Sequence, residues 1–232
     1  MHFNWLSYFT SQVLGLNVPT HVVTLFFSLI LILVLGSYAR ASLGTGEDSI
    51  VPSGRFTLRG LFEVLIEGIS TLAEMVIGHH GRSYAPFFAS VFLIILVNNL
   101  IGMIPGMSTA TENMNTAFGF GVFIFLTYNF LGIRENGILA YLKHFMGPIL
   151  LLAPLMFVIE LVSHIVRPIS LGLRLSNVMM GDHTVLGVFL DLVPALVPIP
   201  FYVLGLFVCF VQAFVFTLLS MVYVAFATAH DH

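Results

Sequence analysis

The sequence predicts an all-α integral membrane protein. It has about five membrane helices and one amphipathic interfacial helix, and the last two membrane helices form a long, strongly tilted hairpin. Three observations carry this prediction. The 232 residues are 58% hydrophobic and only 8% charged, with a mean hydropathy of +1.02, whereas soluble domains carry about 25% charged residues. Apolar runs of roughly the 20 residues needed for one crossing alternate with polar connections. The last two runs are much longer than one crossing requires. The chain reads as a single membrane domain, residues 1–232.

The first span is placed at 20–38, "THVVTLFFSLILILVLGSY", and a loop rich in Gly, Ser and charge follows to Arg55. Residues 56–80 read as the interfacial helix. Glu63, Glu67 and Glu74 recur at spacings of four and seven, so they share one face, with Leu, Ile and Val elsewhere. The second span is 84–104 and carries Asn98 and Asn99; the third is 116–133. The final apolar stretches are 148–192 and 194–229. The N-terminus lacks a basic region and a small-residue cleavage pattern, so no removable signal peptide is expected. The single cysteine, Cys209, excludes an internal disulfide and reads as a small buried hydrophobe. A net charge of −3 offers nothing to nucleic acid.

The basic residues orient the chain. Arg40, Arg55, Arg59 and Arg82 lie between the first and second spans, Arg134 and Lys143 follow the third, and none lies between the second and third. Positive residues favour the cytoplasmic side, or the matrix side in an organelle. The N-terminus is then outside and, by parity, the C-terminus inside.

The stretch 148–192 would measure about 65 Å as one helix, against a hydrocarbon core of about 30 Å. It must be tilted, broken or both, and Pro168 is a candidate kink. Its polar residues are ordered. Glu160, Arg167 and Arg174 are seven apart and His164 sits one turn beyond Glu160, which suggests one polar stripe. His183, nine residues past Arg174, falls about 180° away. Two aqueous paths meeting near one cation would suit this order. Arg167 also reads as a snorkelling interfacial residue, and His164 as a helix-packing residue. Arg174 has no such ordinary explanation. Glu160 lies about 21 Å and Asp182 about 12 Å along a straight helix from it, so neither pairs with it directly. An unpaired ionisable group inside a membrane segment reads as functional.

Several stretches together resemble subunit a of the F-type ATP synthases over nearly the whole chain. They are "FVIELVSHIVRP", "SLGLRLSNVMMGDH", "NNLIGMIPG", "ENMNTAF" and the terminal "FVQAFVFTLLSMVYVAFA". The resemblance implies a non-catalytic stator subunit in a heteromeric membrane complex, with ATP chemistry on other subunits and no cofactor. It would lie against a ring of c subunits, held by b-type peripheral stalk subunits. Arg174 matches the essential arginine that keeps ring carboxylates deprotonated and separates two proton half-channels. Glu160 matches a glutamate of the inner path, and His183 an outer-path position held by His or Glu. Gln212 matches the polar residue facing the arginine on the last helix. His164 joins the inner stripe, and Glu112, Asn113 and Asn115 are candidates for the outer entrance. A bacterial plasma membrane is favoured over a mitochondrial inner membrane.

Two positions depart from the family pattern. An asparagine is usual four residues after the arginine, where this chain has Val178 and places Asn177 one earlier. Relatives often carry Glu or His seven residues before the glutamine, where this chain has Gly205. Asp182, beside His183, is the candidate replacement for that acid. Two other classes compete with this reading. A self-contained transporter or channel would need its own midplane acid–base pair and often an internal repeat, and no convincing repeat is visible. A haem or metal protein is suggested by nine histidines. However, neither His79 with His80 nor His144, His164 and His183 form a close pair with ligand spacing on one face, and an absorption spectrum would separate that class.

Overall fold

The computed structural model describes residues 5, 6, 8, 10, 18–41, 57–78, 81–138, 141, 153–192 and 198–228. Among the described residues, helices with defined bounds follow in the order α1 Thr20–Ala41, α2 Leu58–Ile77, α3 Gly81–Gly102, α4 Met114–Asn136, α5 Ala153–Leu192 and α6 Pro198–Thr228. All but α2 are long and apolar enough to cross a membrane, and the protein is an all-α integral membrane protein. The expected loop beyond Ala41, the connection holding Lys143 and His144, the pair His79 and His80, and the hairpin turn lie outside the described residues.

Helix ends follow local chemistry. The Thr57 side chain accepts from the Gly60 N–H and starts α2; Gly78, at φ 90°, stops it. Arg59 pairs with Glu63 one turn on, at 2.6 Å. Gly81 then brings α3 so close to α2 that an added Cβ would collide with the Ala73 carbonyl oxygen. α2 buries Ile69 and Ala73 but leaves Glu67 and Glu74 exposed, as an amphipathic helix lying on the bundle requires.

The core is apolar, built from Phe88, Phe92 and Ile95 of α3, Ile124 and Tyr128 of α4, Leu171 and Leu175 of α5, and Phe216 and Met221 of α6. α1 is more peripheral. Asn98 donates to Ser28 Oγ at 2.8 Å, which ties α1 to α3, while Phe26, Ile30, Leu33 and Val34 point outward.

α5 is continuous through Pro168 over 40 residues. At about 1.5 Å per residue it spans about 60 Å, twice the hydrocarbon core, so within a bilayer it lies oblique. Proline removes one intrahelical hydrogen bond, but the flanking turns stay helical because α4 supports them. Gly121 of α4 sits under Pro168, where a Cβ would stand 2.5 Å from the Pro168 carbonyl oxygen, and Gly172 touches the backbone of Ala117 and Phe118. α6 returns along α5, with Phe189 and Phe201 stacked 3.9 Å apart near the turn.

Hydrogen bonds define the two ends of the bundle. At one end Tyr84 donates to Glu135 at 2.9 Å and Asn136 donates to the Ala227 carbonyl at 3.1 Å. At the other, the turn after α3 meets the second half of α5, and the Trp5 N–H donates to the Gly106 carbonyl at 3.0 Å. α1 to α4 start within a few residues of the expected elements, whereas the expected starts at 148 and 194 lie outside the described residues. α4 begins at Met114, not at 116, because Asn113 caps it.

Candidate functional site

Arg174 is exposed on the outward side of α5 and has no hydrogen bond or ion pair among the described residues. Leu171, Leu175, Ser176 and Met179 face inward. Asn177 and Val178 are both exposed, so the shifted asparagine remains on the arginine's outward side. Asn177 is three residues from Arg174, which leaves it only about 60° round the helix from the arginine.

Polar groups cluster on either side of Arg174 along α5. On the side toward Ala153, Arg167 Nη2 donates to Glu160 Oε1 at 2.8 Å, and the guanidinium lies 5.9 Å from the ring centroids of Tyr223 and Phe226 on α6. Arg167 is therefore paired rather than simply extended to the interface. His164 is buried against α4. Its Nε2–H donates to Asn129 Oδ1 at 2.8 Å, and its Nδ1 faces Tyr128 Oη at 3.5 Å. The Asn129 amide is held in that sense because its nitrogen donates to the Phe125 carbonyl at 2.7 Å. Tyr141 donates to the same Asn129 oxygen at 2.9 Å.

The expected single stripe is thus divided. His164 and Arg174 are ten residues apart, about 80° of rotation, enough to turn one into α4 and the other outward.

On the far side, His183 Nδ1 lies 3.2 Å from Glu112 Oε2. Its ring covers Gly102, where a Cβ would stand 2.8 Å from His183 Nε2. The Glu112 segment is anchored to α5 by Ser176 Oγ, which donates to the Glu112 carbonyl at 2.8 Å. Thr109 Oγ1 accepts from the Glu112 N–H at 3.0 Å. Thr111 donates to Asn99 Oδ1 at 2.7 Å, and Asn99 Nδ2 reaches the Cys209 carbonyl of α6 at 3.4 Å. Asp182 points at α6: a Cβ on Gly205 would lie 2.8 Å from Asp182 Oδ2. The space left by that glycine is where the carboxylate sits. Gln212, seven residues on from Gly205, is buried on the same α6 face.

Four buried side-chain atoms lack a hydrogen-bond partner among the described residues: Asn98 Oδ1, Asp182 Oδ2, His183 Nε2 and Gln212 Nε2. Three of the four lie on the α5–α6 hairpin. Buried polar atoms in native proteins are generally satisfied by protein or water, so this concentration suits a hydrated path. The three entrance candidates part company. Glu112 meets His183, Asn113 caps α4 by accepting from the Asn115 N–H at 3.0 Å, and Asn115 is exposed. Asn113→Ala is expected to cost about 1 kcal/mol of stability, the usual value of such a cap, measurable as a lower midpoint in detergent unfolding. Among the described residues, no group of three or more His, Cys, Asp or Glu is arranged to hold a metal.

The family model for the ATP synthase A chain matches residues 21–225. A protein named ATP synthase subunit a, from Bdellovibrio bacteriovorus, is 69% identical over 233 residues, covering 100% of both chains. The chain belongs to the ATP synthase subunit a family. Members from Trichlorobacter lovleyi and Geobacter sulfurreducens are 43% and 45% identical, covering 88% and 78% of this chain and 85% and 78% of their own.

In this member of the ATP synthase subunit a family, four polar contacts lay beyond sequence reasoning: Ser176, Asn129, Tyr128 and the Asn99–Thr111 pair. None stands out by spacing, because each acts on a different helix or turn from its partner. Only the polarity of Asn98 and Asn99 in an apolar span signalled that something there needed satisfying.

Proposed function

We propose that this chain is the stator subunit a of a rotary F-type ATP synthase, providing two proton half-channels against a ring of c subunits. It couples proton flow to ring rotation and ATP synthesis on other subunits. The observation that carries the reading is Arg174, an outward-facing cation on a membrane helix with no ion-pair partner among the described residues. A guanidinium remains charged under all ordinary conditions, and a charge inside a membrane needs a partner. An arriving carboxylate on a neighbouring chain supplies one.

The mechanism follows from what lies on each side. Positive residues put the Arg134 end inside. The outer path then runs past Glu112, with Asn113 and Asn115 at its mouth, to His183, Asp182 and Gln212. The inner path leaves past Glu160, Arg167 and His164. Histidine suits the outer path, because an ordinary imidazole changes charge near neutral pH. A ring carboxylate protonated from the outer path becomes neutral and can turn into lipid. On returning, it gives its proton to the inner path and pairs with Arg174. The fixed cation between the paths repels protons that would cross directly. Asn177, on the same outward side, offers an amide to the arriving carboxyl.

The relatives named above are all bacterial, which supports a bacterial plasma membrane, with the N-terminus outside and the C-terminus cytoplasmic. The partners are the c-subunit ring, b-type peripheral stalk subunits and the bilayer, and no cofactor takes part. The test is ATP-driven acidification of inverted vesicles carrying Arg174→Ala. For the acid at the α5–α6 contact, Asp182→Asn is expected to reduce pumping several-fold with the complex intact. Unchanged pumping would remove Asp182 from the path.

A further inference from the structure

The ion pair on the inner half of α5 is built more elaborately than a surface pair. Glu160 and Arg167 are seven residues apart, about 10 Å along the helix, so both side chains must extend toward each other to meet at 2.8 Å. The guanidinium also lies over Tyr223 and Phe226, 5.9 Å from each ring centroid. A cation near aromatic faces is attracted by the ring quadrupole, and a planar guanidinium suits this better than an ammonium does. Arg167 is thus fixed from α6. Glu160 has no hydrogen-bond partner other than Arg167 among the described residues.

We propose that Arg167 is a positioning residue for Glu160. It draws the carboxylate back along α5 toward Arg174 and holds it there through the guanidinium that rests on the α6 rings. The pair opens when Glu160 takes up a proton, since a neutral carboxyl no longer attracts the guanidinium, and recloses when the proton leaves. The pairing is a property of this chain, and its consequence for proton exit rests on the rotary reading above.

The test is labelling of the purified, intact complex with a hydrophobic carbodiimide, which attacks protonated carboxyls, followed by mass spectrometry of the peptide containing Glu160. In Arg167→Met and Arg167→Gln, labelling of Glu160 is expected to rise roughly two- to five-fold, the range a partly exposed ion pair supports. Arg167→Lys, which keeps the charge, should label close to wild type. A role in packing alone would not follow charge in this way. ATP-driven acidification should fall in both neutral variants, and adding Arg167→Met to Glu160→Gln should cause no further loss.

Equal labelling in wild type and both neutral variants would overturn the proposal. The labelling needs no rotation, so its result stands apart from the rotary reading. Undiminished pumping in Arg174→Ala would remove that reading while leaving the Glu160 labelling to decide the role of Arg167.

Discussion

Arg174→Ala is expected to abolish ATP-driven acidification of inverted host-membrane vesicles, with subunit a present at its normal level. Two arguments set the size of the effect. Removing one partner of a desolvated charge pair generally costs 2–5 kcal/mol or more, so a fall of at least about 30-fold follows. On the rotary reading proposed above, the same change also removes the fixed charge between the two proton paths, so any gradient that forms should decay faster. The substitution is a clean one. Arg174 is exposed and makes no hydrogen bond or ion pair among the described residues, so its loss leaves the α5 packing through Leu171, Leu175 and Met179 in place. Arg174→Lys keeps a charge but replaces a planar fork with a point ammonium, and should restore only part of the activity. Undiminished pumping in Arg174→Ala would sink the rotary reading of this arginine and turn attention to a self-contained transporter.

The second large effect is structural. Gly121→Val is expected to deplete the subunit from the membrane and to lower its unfolding midpoint in detergent. Even the Cβ of a valine at Gly121 would stand 2.5 Å from the Pro168 carbonyl oxygen, and the obstacle is backbone, which cannot rotate away. α4 and α5 would have to separate just where proline has already removed a helical hydrogen bond. Overpacking at a well-packed contact costs about 1–3 kcal/mol, and here the helix that carries Arg174 moves with it. Gly119→Val is the matching control. Nothing lies within 4 Å of a Cβ at Gly119, so it should assemble as wild type. Equal depletion by both changes would indicate that residue size along α4, not the contact with Pro168, sets the outcome.

The three entrance candidates show how far sequence alone reaches. Glu112, Asn113 and Asn115 look alike as polar residues in one connection. Glu112 is held by Ser176 and Thr109 and meets His183, whereas Asn113 spends its side chain on capping α4. The choice depends on where α5 passes, and no spacing within the connection encodes that. The division between His164 and Arg174 arises similarly. Both lie on the expected stripe, but about 80° of accumulated rotation gives one to α4 and leaves the other outside.

The sequence by itself determined the helical membrane class, the amphipathic character of α2, the excessive length of the last two apolar stretches and the isolation of Arg174. These are properties of runs and periods, which hydropathy, charge bias and 3.6-residue geometry report directly. Only the tertiary structure decided that Arg167 meets Glu160 over two α6 rings, that His183 covers Gly102 beside Glu112, and that Asp182 fills the space at Gly205. The His183 and Asp182 contacts, and the two rings beneath Arg167, join residues on helices or turns distant in sequence. They depend on how closely two backbones approach, which small residues such as Gly102 and Gly205 permit but do not by themselves announce.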